Sequence, residues 1–269
     1  MDLRGASAEA LAALTEQLDG AIGSGADAST LGAELFTVSR LVRSEAGLRR
    51  FATDGSLTAE AKQGMVQQVF GSRVGEATLG LLTDAVSRRW TLSRDLADAL
   101  ERLSEIAVVR SAGGRAGQVA DQLFELSGII DGNPQLRSAL SDPARSVDDK
   151  SGLLDSLLEG KALPATITLA KQALAGTYRT MTNALAAYRE VAATTQGEVV
   201  ATVHVARPMS DADQERLAEV LGRQYHVTVH LNVVVDPDVV GGVRVEIGDE
   251  VIDGTIASRL DDARRRLVG

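Results

Sequence analysis

Near residue 197 the spacing of apolar residues changes from three and four to two, which divides the chain into a helical part and a following part that contains strands. Upstream, Leu11, Leu14, Leu18 and Ile22 form one stripe, Leu31, Leu35, Val38 and Val42 a second, and Leu96, Leu100, Leu103 and Ala107 a third. Helix-breaking or helix-starting groups separate the stripes: Gly23-Ser24-Gly25, Asp54-Gly55-Ser56, Asp142-Pro143 and the capping pattern Ser146 to Asp149. No proline precedes Pro134, as an all-helical region requires when an interior proline costs a helix about 3 kcal/mol.

Downstream, Val199, Ala201, Val203 and Val205 alternate as one half-buried strand, and Val227, Val229, Leu231, Val233 and Val235 as another. Between them Ser210 to Asp213 caps a helix carrying Leu217, Val220 and Leu221, which gives strand, helix, strand. Gly241-Gly242 then opens Val243–Ile247, and the two-residue link Gly248-Asp249 returns the chain as Glu250–Asp253, a hairpin signal. That register sets Arg244 opposite Asp253, a cross-strand charge pair worth roughly 0.2–1 kcal/mol. Ile256, Leu260, Ala263 and Leu267 predict a last helix, with Arg264, Arg265 and Arg266 at the negative end of its dipole. The fold class is α+β: a duplicated all-α helical bundle followed by a small α/β domain with a β-hairpin.

The duplication is visible on sliding the chain by 88 positions. Leu35-Phe36 then meets Leu123-Phe124, Ser39 meets Ser127, Leu48-Arg49 meets Leu136-Arg137, and Asp54 meets Asp142. Lys62 and Gly64 fall on Lys150 and Gly152, Ala77-Thr78 on Ala165-Thr166, Leu81 and Ala85 on Leu169 and Ala173, and Trp90 on Tyr178. An ungapped register over about 55 residues exceeds what shared amphipathicity produces. Residues 1–104 are therefore read as an extra helical copy, 105–196 as a second, and 197–269 as the small C-terminal domain. Under the same shift the first helix, near 8–22, maps onto 96–110 and again onto about 184–196, so one helix is read as closing the first bundle and opening the second; separate bundles and one fused rod through 96–110 both stay open.

Material for chemistry is sparse. The chain has 269 residues, a formal charge of -9 shared evenly along its length, and no cysteine. The acidity argues against a nucleic-acid partner, since counterion release needs a basic surface. Without cysteine, thiolate metal sites, disulfides and thiol nucleophiles are excluded. No apolar run approaches the roughly 18 residues of a membrane span, and Met1 to Ala13 lacks the pattern of an export signal. His226 and His230 imitate a metal pair, but along a strand they stand about 13 Å apart. His204 and His230 are expected as solvated cross-strand neighbours. Gly113-Gly114-Arg115-Ala116-Gly117 lacks a preceding strand and a Gly-Lys-Ser/Thr ending, so it reads as a helix break. Asp236 and Asp238, Asp148 and Asp149, and Asp261 and Asp262 read as turn and cap residues. No catalytic residue, cofactor or metal is expected.

Gly242-Val243, the run Gly248-Asp249-Glu250-Val251-Ile252-Asp253-Gly254-Thr255-Ile256, and Arg259-Leu260 resemble in order and spacing the C-terminal signature of the delta-subunit family of F-type ATP synthases, related to the mitochondrial oligomycin-sensitivity-conferring protein. The helical unit from about 105 to 196, with Leu136-Arg137 and Lys150 near its short third and capped fourth helices, is similar to the family's N-terminal six-helix bundle. The extra hundred residues resemble the long delta chains of actinobacterial type. The resemblance implies a non-catalytic stator subunit, a peripheral protein at the cytoplasmic face of the cell membrane. In that role it joins the N-terminal segments of the alpha subunits to the b subunit of the peripheral stalk and resists rotor torque. It implies an alpha-subunit groove between first and fifth helices, which points to Leu11, Leu14, Leu18, Leu79, Leu82 and Val86 in the upstream copy. In the downstream copy the same groove points to Leu100, Leu103, Ala107, Ile167, Ala170 and Leu174. For the b-subunit side it points to Gly242, Gly248, Asp249, Asp253, Gly254, Arg259 and Leu260. The isolated chain is expected to be a monomer. A cytosolic helical-repeat adaptor unrelated to ATP synthase is the alternative reading.

Overall fold

The computed structural model describes residues 3–195, 198–225, 228–236, 239, 241–247 and 250–253. The chain divides into two compact units, Met1–Val191 and Ala192–Gly269.

The first unit is helical. Its elements are α1 (Ala6–Gly23), α2 (Ala28–Ser44), α3 (Ala46–Thr53), α4 (Ala59–Phe70), α5 (Glu76–Ser87), α6 (Asp95–Ser111), α7 (Ala116–Gly132), α8 (Pro134–Ser141), α9 (Val147–Leu158) and α10 (Pro164–Ala173). The helix α11 (Met181–Thr195) runs from this unit into the second. The three stripes read from the sequence lie on α1, α2 and α6, and every member except the half-buried Leu11 and Ile22 is buried in one core. A 3-10 turn at Gly113–Arg115 stands where the glycine run breaks the helical pattern.

An 88-residue shift carries the bounds of α2, α3 and α4 onto those of α7, α8 and α9 without adjustment. Hydrogen bonds repeat with them. Thr58 caps α4 by accepting from the Ala61 amide at 3.3 Å, and Ser146 caps α9 by accepting from the Asp149 amide at 3.1 Å. Asp54 accepts from the Ser56 amide at 2.8 Å, and Asp142 from the Ala144 amide at 2.9 Å, so the turn before each capped helix is the same. A tertiary staple recurs as well. Glu34 on α2 accepts from the Gly75 amide at 3.0 Å and from the Thr78 hydroxyl at the start of α5. Gln122 on α7 accepts from the Leu163 amide at 2.9 Å and the Thr166 hydroxyl at 2.7 Å at the start of α10. Each staple satisfies donors that a helix N-terminus leaves open.

The copies meet inside a helix. The expected division at 104/105 falls within α6, whose side chains enter the core shared with α1–α5 and whose polar groups reach α10 and the segment after it. Twelve of its seventeen residues are buried, too many for a helix with one covered face. Ser104 marks the junction: its hydroxyl donates to the Gly32 carbonyl of α2 at 2.6 Å and accepts from the Gln172 side chain of α10 at 3.0 Å.

The second unit holds β1 (Glu198–Val205), α12 (Asp211–Tyr225), β2 (Thr228–Val235), β3 (Val243–Ile247) and β4 (Glu250–Asp253) in a sheet of order β2-β1-β3-β4. β1 and β2 are parallel, joined through α12, while β3 runs antiparallel to both β1 and β4. Ser210 caps α12 as its pattern predicts, accepting from the Asp213 amide at 3.3 Å. Ala201, Val203 and Val205 form the core with Leu221, Val229, Val245 and Ile247, the buried face that alternation requires. Gly241 and Gly242 both lie in the left-handed region, at φ 64° and 84°, which explains two consecutive glycines before β3.

The hairpin register matches the expectation, with Arg244 paired to Asp253 and Ile247 to Glu250. The Arg244 guanidinium lies 2.9 Å from Glu246 on its own strand. The histidine expectation is corrected: the parallel register sets His204 against Val234 and Val200 against His230, so the two histidines are not neighbours. His226, the Gly248-Asp249 link and the expected last helix, including Gly254, Arg259 and Leu260, lie outside the described residues.

Candidate binding surfaces

Among the described residues, no group of three or more His, Asp or Glu is placed to hold a metal ion, and no helix is long and apolar enough to cross a membrane.

Most of the twelve groove candidates are core. Leu14, Leu18, Leu82 and Val86 are buried in the upstream copy, and Leu100, Leu103, Ala107 and Ala170 in the downstream copy. Leu11 and Leu79 remain half-buried on the paired helices α1 and α5, and Ile167 and Leu174 on α10 and at its end. Sequence periodicity finds the apolar stripe but does not separate its inward from its lateral members; that distinction needs the neighbouring helices. Two repeat positions expose the difference between the copies. Leu11 and Thr15 on α1 are half-buried, whereas their counterparts on α6, Ala99 and Leu103, have no exposure at all. The positions of the downstream copy that match Leu11 and Thr15 are thus closed, while Leu11 and Leu79 leave a half-buried apolar edge on the upstream copy.

On the C-terminal unit, the ends of β1 and α12 and the start of β3 surround an open cleft of about 760 Å³. Val205, Met209, Leu217, Val220 and Gly242 supply apolar lining, and Arg207, Arg216 and Asp213 its charged groups. Val220 is 46% exposed, a large apolar side chain that no described residue of this unit covers. Gly242 is the one candidate for the b-subunit side whose setting is described in full; Asp253 is described as backbone at the end of β4.

A buried polar cluster around α6 escaped sequence reasoning. Arg43 of α2 donates to Asp98 and to Glu101, each at 2.5 Å. Glu101 also accepts from the Thr177 amide at 2.9 Å and the Thr177 hydroxyl at 3.0 Å. One turn on, Glu105 accepts from Arg102 at 2.9 Å and from the Tyr178 hydroxyl at 3.1 Å. Burial pushes the Glu105 carboxyl up to about 7 against the opposing pull of Arg102, and burial likewise raises the Tyr178 and Tyr188 hydroxyls. A Cβ on Gly176 would stand 2.6 Å from the Glu101 carboxylate, so a side chain there would push that carboxylate off its bonds to Thr177. The available signal was two glutamates interleaved with the Leu96–Ala107 stripe, which makes sense once α6 is covered on both sides.

The chain has clear relatives. Residues 103–267 match the family described as the ATP synthase delta (OSCP) subunit. ATP synthase subunit delta of a Nocardioides species is 51% identical over 99% of this chain and 98% of its own length. The proteins of the same name from Kineococcus radiotolerans and Streptomyces avermitilis are each 42% identical, over 98% of both chains and 99% of both chains respectively.

Proposed function

This chain belongs to the ATP synthase delta (OSCP) subunit family, and on that premise we propose that it is the non-catalytic stator subunit that joins the alpha-subunit N-terminal segments on the catalytic head to the b subunit of the peripheral stalk. The observation that carries the reading is similarity along the whole chain, duplicated helical part included, to proteins named ATP synthase subunit delta. That relationship leaves the adaptor alternative without support, since an unrelated scaffold would share neither the C-terminal motif nor the length.

A stator transmits torque without turning, so it requires gripping surfaces and stiffness and needs no active site of its own. The half-buried Leu11 and Leu79 offer an amphipathic alpha-subunit helix an apolar edge, the helix-in-groove mode with anchors one turn apart. Because the equivalent face of α6 is filled, the upstream copy is the one assigned to the head. The cleft edged by Met209, Leu217 and Val220 is assigned to the end of the b subunit. Within the complex the protein sits at the cytoplasmic face of the cell membrane as a peripheral subunit, and alone it is a monomer.

The test is reconstitution of proton-driven ATP synthesis with the full chain added to membranes and heads stripped of it. Wild type restores coupling, Leu11→Asp fails to bind the head, and Val220→Asp binds the head but not the b subunit. Coupling restored equally by all three would contradict the assignment. Leu14→Asp is the wrong probe, because Leu14 is fully buried and the substitution would break the fold.

A further inference from the structure

In the downstream copy a cavity of about 640 Å³ opens between α8, α9 and the link from α10 to α11. Its apolar floor is Ile130, Leu140, Ala173 and Leu174. The same four positions of the upstream copy, Val42, Ala52, Ala85 and Val86, line a void of about 10 Å³. One aromatic exchange accounts for much of this. Trp90 donates its indole N–H to the Ala85 carbonyl at 2.9 Å and packs on the core beside it. Its counterpart Tyr178 instead turns its hydroxyl to Glu105 and its ring edge-on to Tyr188, with centroids 5.6 Å apart. Leu174, at the end of α10, is left half-buried where its counterpart Val86 is buried.

The cations at this place change role in the same way. Arg49 donates to the Val42 and Arg43 carbonyls at 3.4 and 2.5 Å, and Lys62 is buried. Their counterparts Arg137 and Lys150 line the cavity, and their side chains make no ion pair or hydrogen bond among the described residues. Arg179, in the place of Thr91, is a third cation on the rim that makes no ion pair among the described residues, and among them no acidic side chain lines the space.

We infer that this cavity binds an organic phosphate, its phosphate held by Arg137, Lys150 and Arg179 and its apolar body seated on Ile130, Leu140 and Leu174. The volume and the apolar floor with a few converging polar groups are those of a small-molecule site. Three cations suit a phosphate ester better than a carboxylate, because the ester carries nearly two charges and three acceptor oxygens that guanidinium groups engage in pairs. Ordinary conservation of the bundle asks for none of this, since the upstream copy folds with the same positions closed.

Calorimetric titration of the full chain with ATP and, separately, with inorganic pyrophosphate tests the inference. ATP is expected to bind saturably at one site and more tightly than pyrophosphate, which offers the charge without the apolar body. The double variant Arg137→Gln, Lys150→Gln is expected to weaken ATP binding by about tenfold or more with an unchanged melting temperature, both side chains being at the surface. Arg145→Gln, on the exposed turn before α9, serves as the control for general charge and is expected to leave ATP affinity unchanged. Absence of saturable ATP binding, or equal affinity in the double variant and wild type, would overturn the site; pyrophosphate binding as tightly as ATP would overturn its assignment to an organic ligand.

Discussion

The two helical copies have the same helices, caps and staples but differ in what surrounds the first helix of each. α1 packs on one side and leaves Leu11 and Thr15 half-buried, while α6 is both the last helix of the upstream copy and the first of the downstream one, and it is buried except along the row Asp98, Arg102, Ile106 and Arg110 and at Ser111. A duplication that shares a helix does not yield two equivalent grooves. The shared helix becomes a weld, its positions matching Leu11 and Thr15 are closed, and the polar residues Glu101, Ser104 and Glu105 enter the interior. For the proposed stator role, which calls for stiffness against torque, a continuous helix common to both copies serves better than two bundles on a linker.

Substitutions that attack the weld should have the largest effects. Leu103→Ala removes a fully buried side chain from α6 and is expected to cost about 3 kcal/mol, with the whole helical unit melting in a single calorimetric transition. Two separated transitions would show that the copies are independent.

Next in size is a pH effect. Folding raises Glu105 from its ordinary 4.5 to about 7, so the native state holds that proton more tightly than the unfolded chain. Glu105 therefore opposes folding increasingly as pH rises from about 4.5 through 7, by up to about 3 kcal/mol, and contributes no such penalty below that window. Urea denaturation is expected to show Glu105→Gln gaining stability relative to wild type between pH 5 and pH 8. A pH-independent difference would contradict the buried environment.

Substitutions in the repeated caps should have smaller and equal effects. Thr58→Ala and Ser146→Ala are each expected to cost about 1 kcal/mol, because both remove the same acceptor from the same helix start. The staple should respond least: Glu34→Gln gives the upstream copy the downstream residue and is expected to change stability by less than about 1 kcal/mol. A larger loss would mean that charge at Glu34 matters beyond its role as an acceptor.

Much of the fold was legible because its signals are local. The stripes on α1, α2 and α6, the caps at Ser146 and Ser210, and the hairpin register are set by residues a few positions apart. The repeat was legible too, since the same caps, turns and staples call for the same residue types at matching positions. What sequence could not reveal is which neighbour covers a given face. Leu14 and Leu11 belong to one stripe, yet one is core and the other edge. Glu105 sits beside that type of stripe and looks like a surface residue until α10 and α11 are in place. The histidines failed for a similar reason: the offset of a parallel pair is fixed by the crossover helix, and it sets His230 against Val200 instead of His204. The cavity beside Lys150 was invisible because it arises from the absence of a tryptophan.

Leu79 and Ile167 occupy the same position in the two copies, half-buried on α5 and α10. The most direct test is therefore calorimetry of an alpha-subunit N-terminal peptide against the full chain, Leu79→Asp and Ile167→Asp. The account predicts that Leu79→Asp weakens binding by about tenfold or more while Ile167→Asp leaves it unchanged. The reverse pattern would place the head on the downstream copy and contradict its assignment to the upstream one.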